Sequence, residues 1–257
     1  MNQFKSSSFR FNGIESSSYG YMMVEVGDSN NEVVLGLSRD INREDSSNGL
    51  GVFKGVKDNY HSIQVQIIKY VDNQVQVLSD TDVKFLNRWL LCNTYKPLEV
   101  ENGLVYYVLF KGMKGQYETG GTVLTLELES LPTSYTPIRV VTQNVIGTKT
   151  VEVSNSTTIN ETTPIDLYVS MVAGTSITIT NMSTGKSFSI SGLQANEEFY
   201  VYGERHFIES KIDGKRNLYK LSNKVFNLDL RYGKNNIKIE CENAVVQIMF
   251  QSKMALQ

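Results

Sequence analysis

Apolar and polar residues alternate with a period of two through much of this 257-residue chain. Ser62 to Tyr70 reads S-I-Q-V-Q-I-I-K-Y, with Ile63, Val65 and Ile67 on one face and Gln64, Gln66 and Ile68 on the other. Thr122 to Leu128 places Leu124, Leu126 and Leu128 opposite Val123, Thr125 and Glu127. Both patterns predict strands with one buried face. Leu104 to Lys111 (LVYYVLFK) is a nearly unbroken run of β-formers and predicts a strand central in a sheet. Phe9 and Phe11 alternate about Arg10, and Asn12-Gly13 then signals a tight turn. Tyr19–Val26 and Val33–Leu37 are further apolar segments, separated by the Asn30-Asn31 turn signal.

One segment has a helical period. Ser79 to Leu91 (SDTDVKFLNRWLL) opens with capping and acidic residues and carries Val83, Leu86, Leu90 and the Trp89/Leu91 pair at helical spacing. Cys92-Asn93 ends it, and Lys96-Pro97-Leu98-Glu99 leads back into strands. Two polar or Gly-rich stretches, Arg39–Gly51 and Gly112–Gly121, read as exposed loops or arms.

Pro132 and Pro137 lie close together and mark a boundary. The expected organisation is an N-terminal β domain over 1–131, a linker over 132–137 and a C-terminal domain over 138–257. The second half predicts short strands at Lys149–Val153, Asp166–Val172, Ser176–Asn181, Ser187–Ser191, Glu198–Tyr202, His206–Lys211, Val225–Leu230, Asn236–Glu240 and Ala244–Phe250. Turn signals at Ala173-Gly174, Ser183–Gly185, Asp213-Gly214 and Tyr232-Gly233 separate them. The fold class is therefore all-β with one short helix, the second half being a sandwich or jelly roll.

Composition agrees, being rich in β-branched and aromatic residues, with 19 Gly and 4 Pro. The formal net charge is −2. Before Ser130 there are 12 basic and 16 acidic residues, and after it 13 and 11. Neither half has the basic excess that phosphate binding needs, so sequence-specific nucleic-acid binding is not expected. The N-terminus has no apolar signal-peptide core, and no stretch is long enough for a membrane helix.

The search for chemistry selects nothing. Cys92 and Cys241 lie far apart and form neither a metal spacing nor a disulfide framework. His61 and His206 lack ligand or triad neighbours, and there is no G-x-S-x-G, P-loop or dinucleotide fingerprint. The acid pairs Asp80/Asp82, Glu127/Glu129 and Glu197/Glu198 are of a kind common on solvated surfaces. No catalytic, cofactor-binding or metal residue is assigned and no cofactor is expected.

Four features in order resemble the distal tail proteins of long-tailed phages of Gram-positive hosts. The opening S-F-R-F-N-G-I-E-S-S-S-Y-G (8–20) is similar to that family's aromatic-x-aromatic-Asn-Gly-x-x-Ser start. The strand at 62–67, the helix ending in R-W-L (88–90) and K-P-L-E (96–99) resemble its N-terminal domain. E-L-E-S-L-P-T-S-Y-T-P (127–137) resembles the exit from that domain. I-T-N-M-S-T-G-K-S-F-S-I-S-G-L (179–193) and F-N-L-D-L-R-Y-G-K-N-N-I-K-I (226–239), closing on L-x-x-G-x-N-x-I, resemble its C-terminal domain.

The resemblance implies a non-enzymatic virion protein, made in the host cytoplasm. It implies an N-terminal β-sandwich with one helix that assembles into a ring of six copies, joining the tail tube protein to tail-tip or receptor-binding proteins, with a channel for DNA and an outward galectin-like or jelly-roll C-terminal domain. The competing reading is a carbohydrate-binding module. It would stack sugars on Tyr200, Tyr202 or Tyr219, since the only Trp lies in the other domain.

Overall fold

The computed structural model describes residues 8–24, 39–45, 51–100, 103–118, 120–211, 218–224, 226, 228 and 229–255, with backbone only at 45, 51, 52, 118 and 219. The segments expected at Val33–Leu37, Asn30-Asn31 and Asp213-Gly214 lie outside the described residues, as does part of Val225–Leu230. Among the described residues the fold is all-β with one α-helix, and the chain divides into two compact units, Met1–Tyr135 with Ala255–Gln257, and Thr136–Met254.

In the first unit the elements are β1 (Arg10–Phe11), β2 (Ile14–Glu15), β3 (Tyr21–Met23), β4 (Arg39–Asp45), β5 (Gly51–Asp58), β6 (His61–Val71), β7 (Gln74–Val75), α1 (Asp80–Leu90), β8 (Lys96–Glu99), β9 (Val105–Glu118) and β10 (Gly121–Tyr135). One antiparallel sheet runs β2-β1-β8-β9-β10-β6-β3, and β7 pairs with β6. Laid flat, six steps of ~4.8 Å would separate its two ends by roughly 29 Å. Those ends, β2 and β3, are joined by a short 3-10 helix, Ser16–Tyr19, and Gly20. At a rise of ~2 Å per residue this link reaches about 10 Å. The sheet must therefore curl, and its inner face closes on one core. Phe11, Ile67, Leu98, Tyr106 and Leu126 fill that core.

The motif at the chain's start explains the curl locally. Asn12 and Gly13 both have positive φ, 51° and 80°, as the two-residue turn between β1 and β2 requires. Ser16, buried, then ties the ends together. Its Oγ accepts from the Phe9 amide at 3.1 Å, and its own amide donates to the Phe9 carbonyl at 2.8 Å. Asp72 and Asn73 (φ 53° and 60°) repeat the turn between β6 and β7.

The helix forms where its pattern predicts. Ser79 is the N-cap of a complete capping box with Asp82, and Leu86 and Leu90 enter the core. Trp89 is partly buried against the core, stacked on Phe9 at 5.7 Å and edge-on to Phe11 and Tyr19.

Three first-half readings need correction. Arg39–Gly51, expected as an aperiodic loop, contributes a strand, and the whole of β4 pairs with β5 as a separate two-stranded sheet. Gly112–Gly121 is not a flexible loop. β9 and β10 pair to Glu118 and Gly121, so backbone hydrogen bonds order a ribbon whose residues 114–117 are all exposed and leave no one-faced pattern in the sequence. Leu131–Tyr135, placed partly in a linker, continues β10. The missing Pro132 donor is accommodated where the register shifts between Ser130 and Ser134.

The second unit contains β11 (Arg139–Asn155), β12 (Thr163–Pro164), β13 (Asp166–Asn181), β14 (Lys186–Ser191), β15 (Glu198–Tyr202), β16 (Phe207–Ser210), β17 (Asp229–Leu230) and β18 (Gly233–Phe250). The main sheet runs β11-β18-β13-β15-β16, with β14 on β13, and β12 pairs with β17. β13 and β18 each absorb two of the expected strands. Their registers shift at Met171–Ala173–Ile177 and opposite Glu242, and β11 shifts in line at Ile146/Gly147. Burial in β18 falls on odd positions up to Ile239 and on even ones from Ala244, because one extra residue flips the pleat. The three strands thus bend along one line and carry both halves onto a single core. Ala173-Gly174 is part of that corner and not a turn. Gly174 has φ 93°, and a Cβ there would lie 2.7 Å from Glu242 Cβ.

The L-x-x-G-x-N-x-I motif also has a structural basis. Leu230 and Ile237 are core residues, Gly233 (φ 83°) makes the turn, and the buried Asn235 bonds the backbone inside it.

Candidate functional site

Several of the titratable residues singled out in the sequence are engaged in structural contacts. Asp82 caps α1 and takes an ion pair from Lys69 at 2.5 Å. Burial alone would raise its carboxyl, but hydrogen bonds from Lys69 and Ser79 hold it below the usual carboxylate range. Nearby, burial and the Asp82 charge push the Tyr21 phenol up to about 12. Glu127 pairs with Lys114 across β9 and β10, and Glu129 accepts from Tyr95 at 2.7 Å. Burial and that carboxylate push the Tyr95 phenol up to about 12. Glu197 is buried and accepts from the Gln194 amide at 2.9 Å, while Glu198 pairs with Lys211 at 3.0 Å.

His61 lies half-buried on β6. Burial lowers its imidazole below its ordinary value, with a bond to the Pro132 backbone partly opposing. His206, expected inside a strand, sits in the turn before β16 with φ 52°, where a regular strand cannot pass, and stacks on Phe226. Cys92 and Cys241 are free thiols against different cores, and burial pushes the Cys241 thiol up. Among the described residues no group of three or more His, Cys, Asp or Glu is placed to hold a metal, and no helix is long and apolar enough to cross a membrane.

The tyrosines form a row on the outer face of the second sheet, including one that sequence reasoning missed. Tyr168, Tyr200, Tyr202 and Phe207 are linked at 4.9, 6.1 and 6.1 Å. Lys211 Nζ stands over the rings of Tyr168 and Tyr200 at 5.2 and 5.4 Å, and Arg205 stands over Tyr202. The faces a sugar would stack on thus carry cations. The Tyr219 side chain lies outside the described ones.

Among the described residues of the first unit two groups of apolar surface side chains stand out; the arm expected over 39–51 contains β4, but its apolar face and the second group were not singled out in the sequence. One is the β4–β5 hairpin, with Ile41, Phe53 and Val56 exposed. The other is an open groove of ≈ 500 Å³ on the outer sheet face, where Ile68 stands opposite Val123 beside Val24 and Val75. The signals were present: Ile68 is the apolar member of an otherwise polar face, and V-F-K-G-V (52–56) has strand composition.

Residues 4–130 match a family described as phage tail protein N-terminal domain. A comparison with curated proteins finds no match. Among solved structures, the chain is similar to the crystal structure of SPP1 Dit (gp 19.1), described as a paradigm of hub adsorption apparatus in Gram-positive infecting phages. The TM-score is 0.64 at 16% identity, covering 96% of this chain and 98% of that one. The N-terminal half of this chain therefore belongs to the phage tail protein N-terminal domain family, on a chain with the fold of a distal tail protein.

Proposed function

We propose that this protein is a structural distal tail protein of a long-tailed phage. Copies, six in number, close into a ring that joins the tail tube protein to the tail-tip or receptor-binding proteins and leaves a channel for DNA. It acts in the virion after synthesis in the bacterial cytoplasm, and it works by assembly, without catalysis. The observation that carries the reading is the likeness to SPP1 Dit along nearly the whole of both chains, joined to the tail-domain match of residues 4–130. The division into a ring domain before the prolines and an outward domain after them is part of the same proposal. A channel for DNA needs no basic lining, and the first half, at 12 basic to 16 acidic residues, fits a wall to which phosphate does not adhere.

Light scattering over a concentration series, followed by electron microscopy, tests this. A discrete six-copy species with a central hole is the expected result. A strict monomer at every concentration counts against it. The tyrosine row favours a second reading, a carbohydrate-binding module. The cations over those rings argue against it, and a glycan screen with no millimolar or tighter binding would dispose of it.

A further inference from the structure

We propose that the β4–β5 hairpin of one copy lays its apolar face in the β6–β7–β10 groove of the next copy. This rests on the ring reading above and names the two patches that meet.

The hairpin's amphipathicity is built by a bulge. Ile41 stands opposite Val56, and Arg43 stands opposite Phe53. Positions 41 and 43 share a face. Positions 53 and 56 are three apart and would lie on opposite faces of a regular strand. The register shifts between Asn42 and Arg43, leaving Lys54 without a ladder partner, and Phe53 comes round to the face of Val56. Ile41, Val56 and Phe53 therefore form one row, and they are 55%, 47% and 63% exposed. Asp40, Asn42 and Lys57 occupy the other face, and Glu44 pairs with Lys54. A two-stranded hairpin is marginal in water by itself, and this one sets Ile41, Val56 and Phe53 on one exposed surface. Its stability calls for a cover.

The groove is the complementary shape. The Ile68–Val123 cross-strand pair forms its apolar base, with Val24 and Val75 beside it and Gly120-Gly121 at its end. A second copy is the occupant because a single chain carries both an exposed apolar hairpin face and an open apolar groove. Two different patches on one chain make a heterologous contact, which can close into a ring. A self-complementary patch would stop at a dimer. Charge agrees with this pairing. Arg43 flanks the apolar row, and Asp72 is exposed in the turn next to Gln74 and Val75. Opposite charges on the two patches orient the contact.

Two full-length variants, Phe53→Cys and Val75→Cys, are purified separately, mixed in equal amounts and mildly oxidised. The expected product is a disulfide joining position 53 of one chain to position 75 of another, identified by peptide mass. In parallel, Phe53→Asp removes the ring species in light scattering while leaving the melting temperature unchanged. Arg43→Asp and Asp72→Arg each weaken the ring at least tenfold in midpoint concentration, and the two together restore it. A 53–53 disulfide as the main product overturns the proposal in favour of a two-fold contact. Rings with no 53–75 product overturn it and leave the ring reading standing. Neither rings nor cross-link defeats both.

Discussion

Asn235 holds both backbone groups of Arg231. The Arg231 amide donates to Asn235 Oδ1 at 3.1 Å, and Asn235 Nδ2 donates to the Arg231 carbonyl at 2.8 Å. The same amide group receives a bond from Asn181 Nδ2 at 3.3 Å, and Asn181 also reaches the Asp229 carbonyl at 2.6 Å. The Asn181 and Asn235 side chains are buried, Arg231 is exposed, and the bonds depend on one another. Asn235→Ala is expected to destabilise the protein by about 1–3 kcal/mol, because the part-buried amide and carbonyl of Arg231 lose partners and the buried Asn181 amide loses one of its acceptors. A urea titration followed by far-UV circular dichroism checks this. A shift below about 1 kcal/mol would mean that water replaces the asparagine.

The capping box gives a prediction with a sign in pH. Asp82 is held below its ordinary value when folded, so it stabilises the fold above the unfolded carboxylate pKa of ~3.9. That contribution is lost as pH falls through the folded value. Between neutral pH and about pH 3, the wild-type urea midpoint should therefore fall further than that of Asp82→Asn. Fluorescence of Trp89, the single tryptophan, reads the first unit directly. Ser79→Ala should cost about 1 kcal/mol at neutral pH in the same assay.

The corner at Gly174 admits little else. Its φ of 93° is unfavourable for any side chain, and the added carbon would meet Glu242 Cβ at 2.7 Å. Gly174→Ala is expected to lower stability by about 1–3 kcal/mol. In a double-mutant cycle with Glu242→Gly, part of the loss should return. Strict additivity would locate the whole cost in the backbone angle and none in the contact.

Long unpaired edges invite aggregation, and β11 is an end strand of its sheet. Lys149 Nζ donates to the Asn144 carbonyl at 3.2 Å, and Arg139 reaches the Ser154 carbonyl at 3.5 Å. These cationic side chains cover backbone acceptors on the folded-over strand. Lys149→Val should aggregate at lower concentration than wild type with little change in melting temperature, as measured by dynamic light scattering. Equal solubility of the two proteins would refute a protective role.

Much of this fold was legible because burial writes itself into a one-faced pattern. Ile63/Val65/Ile67 and Leu124/Leu126/Leu128 read as strands because each faces one core, and Ser79–Asp82 read as a helix start because its bonds are local. The distal tail resemblance lay in positions that the structure now explains: Asn12-Gly13 and Ser16 close one hairpin, and Gly233 and Asn235 close another. Sequence reasoning failed where pairing is set by partners distant in the chain. Val105–Glu118 pairs to its tip although residues 114–117 are all exposed, and β13 and β18 bend together at a corner that looked like a turn in each alone.

The alternation of apolar residues by itself determined an all-β chain with one capped helix, because the period of buried positions depends only on local backbone geometry. Which sheet curls, where three strands fold along Gly147, Glu242 and Gly174, and how a bulge at Lys54 sets Phe53 beside Val56 were decided only in the tertiary structure. One extra residue opposite a neighbouring strand reverses every side chain beyond it, and no single segment records the register of its partner.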